Sequence, residues 1–203
     1  MSQSIKVIYG STTGNTQRAA EAIAAGLGGT AVSAADAVPD DFKADLLILG
    51  SSTWGCGELQ DDWQSALPML EAADLSGRKV ALFGLGDAVG FADTYLNAMG
   101  EIGDIVKAAG GILIGAWESA GYPHSASTAE ENGHFIGLAL DDDNEPGETA
   151  GRIGRWCAQL KTEAGLRTFP TTGKAVSPTS FRRTAFLTKK IHSPQFRICF
   201  PHE

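Results

Sequence analysis

The sequence predicts an α/β fold, a doubly wound parallel sheet covered by helices on both faces. Three observations carry this. Short apolar runs alternate with helical patterns along residues 5–164. The runs are near-continuously apolar, as strands buried on both faces require. Three of them end in glycine-rich loops, at 10–16, 50–58 and 84–91. In such sheets these loops share the carboxyl edge, where ligands bind.

The first run, residues 5–9, is interrupted only by Lys6 and reads as a buried strand. Residues 10–16, GSTTGNT, are small and hydroxylated, and the chain behind them turns helical. A strand, a tight loop of this kind and a helix start form an anion cradle. Free backbone N–H groups and the positive helix end converge there, and hydroxyls add donors. No Lys follows the glycine, so the loop is not a Walker A motif, and its spacing is not GxGxxG. With no Lys or Arg in the loop, neutral donors must hold the anion, which suits a single phosphate monoester. The plain alternative is a turn with Thr13 or Asn15 as N-cap.

Ala20, Ile23, Ala24 and Leu27 fall at i, i+3, i+4, i+7 on one helix face, ended by Gly28-Gly29. A weak strand over 30–33 and a polar stretch with Pro39 follow. Residues 46–49 are a second buried strand running into the loop GSSTWGCG. Trp63, Ala66, Leu67 and Leu70 mark the next helix. Residues 80–83 form a strand ending in Gly84-Leu85-Gly86-Asp87 and a loop to about Phe91. A helix with Leu96, Met99, Ile102 and Val106 closes at Gly110-Gly111, and 112–114 is the fifth strand. Residues 117–138 are too long for a simple connection, and 135–140 resume the strand. An acidic loop, Asp141-Asp142-Asp143-Asn144, precedes a last helix over 146–164, with Ile153, Trp156, Cys157 and Leu160 on one face. Trp54 and Phe91 flank the crevice at the carboxyl edge and can hold a flat ring between them. The plain readings are an exposed loop Trp and a small loop core.

The length fits one domain over residues 1–166 with a tail over 167–203. The first 166 residues carry 9 Lys+Arg against 23 Asp+Glu, net −14; the last 37 carry 7 against 1, net +6, which together give −8. An acidic body repels nucleic acid and attracts basic protein surfaces. The tail has prolines at 170, 178, 194 and 201 and no sustained amphipathic period, and reads as a flexible appendage. Its His192, His202 and Cys199 offer only adventitious metal binding. No apolar stretch reaches membrane-span length, and MSQSIKV lacks a signal region. Cys56, Cys157 and Cys199 are too few and too scattered for a disulfide framework or zinc site, so the expectation is a reduced, cytoplasmic protein.

Four motifs in order, GSTTGNT, SSTWGCGELQDDW, GLGDAVGF and AGY…GHFIGLALDDDN, resemble those of flavodoxins over residues 4–166. Residues 117–138 resemble the insertion of the long-chain type. The resemblance implies a flavodoxin-like five-stranded sheet in the order 2-1-3-4-5, its last strand interrupted by that insertion, with FMN at the switch point. It implies that Ser11, Thr12, Thr13, Gly14, Asn15 and Thr16 hold the FMN phosphate, and that Trp54 and Phe91 sandwich the isoalloxazine. Ser52, Thr53, Gly55, Cys56 and Gly57, with Leu85, Gly86 and Asp87, then line the ring, and Asp143 contacts the ribityl chain. Where the family usually has Tyr, this chain has Phe91, which keeps the stacking and loses the hydroxyl.

The implied function is a low-potential one-electron carrier, monomeric and not an enzyme, shuttling FMN between semiquinone and hydroquinone. The Gly55–Cys56 peptide would turn to accept a hydrogen bond from flavin N5, and the acidic body would disfavour the fully reduced anion. Basic-surfaced redox proteins are the implied partners. The motifs most resemble flavodoxins linked to nitrogen fixation, which makes nitrogenase reductase the implied acceptor. The alternative is an FMN-dependent quinone reductase on the same fold, but Trp54 stacked on the ring would block the face a second substrate needs. A signalling domain would want a phosphorylatable Asp at the first strand's end, where this chain has Gly10-Ser11.

Overall fold

A computed structural model describes residues 3–166; the readings placed on 167–203, including His192, Cys199 and His202, lie outside the described residues. In chain order the elements are β1 (Ile5–Gly10), α1 (Asn15–Leu27), β2 (Thr30–Ser33), β3 (Leu46–Trp54), β4 (Glu58–Leu59), α2 (Trp63–Glu71), β5 (Lys79–Leu85), α3 (Asn97–Ala108), β6 (Ile112–Ile114), β7 (Trp117–Glu118), β8 (Glu130–Glu131), β9 (His134–Phe135), β10 (Leu138–Leu140) and α4 (Thr149–Glu163).

Five strand positions run β2-β1-β3-β5 and then β6 with β10, all parallel. The last position is shared. β6 pairs with Lys79–Ala81 of β5 and β10 with Phe83–Leu85, so one strand is cut in two by the segment between them. That segment carries its own antiparallel sheet, β7-β9-β8. Tyr95, Tyr122, His124 and Phe135 pack ring against ring beside it.

The middle segments of the central strands, Leu46–Leu49 and Val80–Phe83, are apolar at every position because each side chain is buried on one face or the other. Val7, Leu46, Ile48, Ala81 and Phe83 meet Ala19, Ala20 and Ile23 of α1 and Ile153, Trp156 and Leu160 of α4. Ile8, Leu47, Leu49, Val80 and Leu82 meet Trp63, Ala66 and Leu70 of α2 and Met99, Ile102 and Val106 of α3. Helices therefore cover both faces, and the turn from one face to the other falls between β1 and β3, the place where such sheets open a crevice.

β1 and β5 extend by a residue or two beyond the sequence reading, to Gly10 and over Lys79–Leu85, and three further boundaries differ. β3 runs beyond its apolar segment to Trp54, because Gly50 and Ser51 pair with Tyr9 and Gly10 on one side and Phe83 and Gly84 on the other. Gly50 is required there: a Cβ would stand 2.0 Å from the Phe83 ring. The resumed edge strand is Leu138–Leu140 rather than 135–140, since Phe135 belongs to the small antiparallel sheet. α4 starts at Thr149 rather than 146, because the preceding turn is held by Glu145 N–H on Asp141 O at 2.9 Å.

Candidate functional site

The parallel register brings the carboxyl ends of β1, β3 and β5 together: Gly10 pairs with Ser51, and Ser51 with Gly84. The three glycine-rich loops therefore rise from one edge.

The first loop turns through Gly14, whose φ of 88° lies in the left-handed region and makes it the N-cap of α1. Neither Thr13 nor Asn15 caps the helix. Ser11 organises the loop instead, its Oγ accepting the N–H groups of Gly14 at 3.1 Å and Gln17 at 3.3 Å. Thr12 and Thr13 are exposed and Thr16 is buried against the core. The Ser11 N–H donates to a carboxylate oxygen, Asp62 Oδ2, at 3.0 Å. An amide of this loop thus already carries an anionic partner. No acidic side chain sits in the first turn of α1. The cation absent from the loop comes from one turn on: Arg18 Nη2 donates to Asn15 Oδ1, and Nη1 would stand 3.6 Å from a Cβ on Gly14.

The second loop is a β-hairpin. Thr53 pairs with Leu59 and Trp54 with Glu58, leaving Gly55-Cys56-Gly57 as its tip. The tip needs its glycines: φ is 52° at Gly55 and 103° at Gly57. Gly57 N–H closes the turn on Trp54 O at 3.0 Å. The Trp54 indole N–H donates to Ser52 Oγ at 2.8 Å, which fixes the ring's edge while 43% of the residue stays exposed.

The third loop is shaped by Asp87. Its Oδ1 accepts from Gly90 N–H at 2.7 Å, Val89 N–H at 3.0 Å and Asn144 Nδ2 at 2.8 Å. Partial burial acts to raise its pKa, but these hydrogen bonds outweigh it and hold the carboxyl below the usual carboxylate range. Leu85 is buried in the core, and Gly86 N–H donates to Leu140 O at 3.2 Å. Phe91 stands at the loop's end, 52% exposed.

The acidic loop closes the edge. Asp141, 1% exposed, takes the N–H of Ala88 at 3.0 Å, of Asp143 at 3.2 Å and of Asn144 at 2.9 Å. It therefore ties the acidic loop to the loop before Phe91. The Asp143 carboxyl is pushed up, by partial burial first and then by the charges of Asp87, Asp141 and Asp142. Sequence reading did not single out Arg18 or Gln60; it read Asp62, with Glu58 and Asp61, as surface charge that steers a basic partner, and Asp141 as part of an acidic loop, and foresaw neither the Ser11 bond nor the Ala88 bond. Of these only Arg18 leaves a trace in the sequence, three residues along a helix from Asn15.

The flavodoxin family model matches residues 7–156. The chain belongs to the flavodoxin family. It is 46% identical over 167 residues to a flavodoxin of Picosynechococcus sp., an alignment covering 80% of this chain and 98% of that protein. It is 39% identical over 165 residues to flavodoxin 1 of Escherichia coli, covering 79% of this chain and 94% of the relative. Among solved structures, a Fusobacterium nucleatum flavodoxin bound to flavin mononucleotide superposes with a TM-score of 0.75 at 32% identity, over 79% of this chain and 98% of that one.

The residues present fit such a group. A tight loop at a helix start suits the phosphate. Two large aromatic side chains, Trp54 and Phe91, are left largely uncovered on the neighbouring loops, where a soluble fold ordinarily buries them.

Proposed function

We propose that this chain is a flavodoxin in function as in family: it carries single electrons on non-covalently bound FMN and is not itself an enzyme. The observation that carries the reading is the pair of exposed aromatics, Trp54 and Phe91, rising from the same sheet edge as the Ser11–Thr16 cradle. FMN supplies the redox chemistry when bound. The protein's residues bind it, orient it and exclude water.

Residues 11–16 would hold the phosphate, offering amide and hydroxyl donors at the positive end of α1. Trp54 and Phe91 would stack on the ring, and Ser52, Thr53, Gly55, Cys56 and Gly57, with the backbone at Leu85, Gly86 and Asp87, would border it. Asp143 would contact the ribityl chain. The positive φ of Gly55 lets the Gly55–Cys56 peptide turn without a Cβ penalty, and its carbonyl would then accept a hydrogen bond from the ring. The domain that does this is 1–166, followed by the basic segment 167–203. The split last strand supports the long-chain type.

The acidic body sets a low potential and selects basic-surfaced partners, a reductase as donor and a low-potential acceptor such as nitrogenase reductase, with the protein acting as a cytoplasmic monomer. No helix among the described residues is long and apolar enough to cross a membrane. No observation favours the quinone-reductase alternative.

A reductive titration of the purified protein tests the reading. The expected result is a yellow protein with one FMN per chain that is reduced in two successive one-electron steps. A colourless protein that takes up no added FMN overturns it.

A further inference from the structure

Helices α1 and α4 pack together on one face of the sheet. Beside the cradle a groove of about 380 Å³ opens between them, a volume within the range of small-molecule sites. Its walls are Ala22 of α1 and Ala150 and Ile153 of α4, and its rim carries Asn15, Arg18, Asp142 and Thr149. Asn15 is also the first residue of α1 and part of the cradle. The groove therefore continues from the phosphate loop, and nothing in the proposed electron carriage uses it.

Charge is the first sign of what belongs there. Arg18 is exposed and takes part in no ion pair among the described residues. It is nevertheless held at the groove's mouth: Nη2 donates to Asn15 Oδ1, and Nη1 would stand 3.6 Å from a Cβ on Gly14. A guanidinium presents five donors in a fork, so most of it is left for an anion beside the one in the cradle. The walls are the second sign. Ala22, Ala150 and Ile153 offer small apolar surface on which a flat base can lie. Asp142 Oδ1 accepts the Thr149 hydroxyl, which fixes the carboxylate at the rim. Its remaining acceptor capacity suits a ribose diol, as acidic side chains do in dinucleotide sites. Arg18 belongs to the α1 side and Asp142 to the acidic loop before α4, so one side is cationic and the other anionic, as the phosphate and ribose ends of a nucleotide require.

We propose that the groove between α1 and α4 is an adenosine subsite through which the chain accepts FAD as well as FMN: the flavin-side phosphate takes the cradle, the second phosphate meets Arg18, and the adenosine lies against Ala22, Ala150 and Ile153. The proposal rests on the FMN reading above and extends it by one ligand class, the flavin dinucleotides. The flavin ring is the same in both, so the groove sets which flavin nucleotide is retained and leaves the ring chemistry alone.

Calorimetric titration of the flavin-free protein with FMN, FAD and riboflavin tests this. Riboflavin carries the ring alone, so FAD should bind at least about tenfold more tightly, through its phosphates and adenosine. Ala150→Trp fills the groove from an exposed helix position outside the cradle and the ring loops. It should weaken FAD by at least about tenfold through the clash it builds and leave FMN within about twofold, as surface substitutions do. Ala22→Trp fills the groove from the opposite wall and should give the same result, which keeps the test intact should one variant fail to fold. Arg18→Gln should weaken FAD more than FMN and flatten the salt dependence of FAD binding, because it removes the cation assigned to the second phosphate.

FAD bound no more tightly than riboflavin overturns the proposal. So does an FAD affinity untouched by Ala150→Trp and Ala22→Trp, or an equal loss of FMN and FAD in Arg18→Gln. A protein that binds FMN and rejects FAD loses the adenosine subsite and keeps the electron-carrier reading. One that takes up no flavin at all fails at the earlier reading instead, which separates the two.

Discussion

A Cβ added at Gly55 would stand 2.6 Å from Glu58 Oε2, on a backbone already at φ 52°. The Glu58 side chain is exposed and can swing aside. The left-handed backbone cannot be relieved so simply, and costs a residue with a Cβ about 1–2 kcal/mol. Gly55→Ala should therefore lower the folding free energy by about 1–2 kcal/mol in urea denaturation. If the Gly55–Cys56 peptide turns to meet the reduced flavin, the same change should also lower the potential of the first one-electron step. Stability lost with that potential unmoved would sink the mechanistic half of the idea and leave the structural half standing. Asp62 shows how position alters a residue's meaning. In sequence it is one more carboxylate beside Asp61; in the fold its oxygen sits on the Ser11 amide, and it belongs to the cradle rather than to the free surface.

At the scale of elements, the site is four loops tied in two pairs by two buried polar residues. Gln60 joins the first to the second, and Asp141 joins the third to the acidic loop. Removing the Asp141 carboxylate strands the amides of Ala88, Asp143 and Asn144 in a buried setting. Hydrogen bonds to charged groups are worth about 1.5–3 kcal/mol, so Asp141→Ala should destabilise the protein by about 3 kcal/mol, read from its urea midpoint. A loss under about 0.5 kcal/mol would mean the loop holds itself without the carboxylate. These two residues also mark the limit of what the sequence discloses. The strands of the parallel sheet, the four helices and the small-residue turn at 10–16 are visible as periodicity and as glycine placed where backbone must turn, because those signals are local, whereas the two-residue strands β4, β7, β8 and β9 are too short to show a period. Gln60 to Thr12 and Asp141 to Ala88 span 48 and 53 residues. Such bonds leave no periodic trace, so both residues read as ordinary loop polarity until the sheet edge brings their partners to them. The extension of β3 through Gly50 to Trp54 escapes for the same reason, since it depends on a Phe83 ring lying across Gly50.

The whole molecule sets the electrical environment of the site. Of the 9 Lys+Arg in residues 1–166, Lys6, Lys43, Lys107 and Arg152 are committed to ion pairs with Asp41, Asp40, Glu131 and Glu145, and the 23 acidic residues leave a large uncompensated excess. One carboxylate ~10 Å from a flavin, at an effective dielectric of ~20, opposes an added negative charge by about 1.7 kcal/mol, or roughly 70 mV for one electron. On the proposed function, several such charges would drive the potential down and favour donation from the reduced flavin. The same field acts outward on a partner. Glu58 and Asp61 stand exposed beside the hairpin tip, free of the cradle, where a basic reductase would approach the ring. Asp61→Lys reverses one of these charges without touching the Ser11–Asp62 bond. Association with a basic-surfaced reductase should slow by about three- to tenfold at low ionic strength, and the decline of its rate with added salt should flatten, because steering acts on encounter rather than on the docked contacts. Stopped-flow reduction of the protein across a salt series measures both. A rate at low salt equal to that of the unmodified protein would place the docking surface away from the hairpin, on another part of the acidic body.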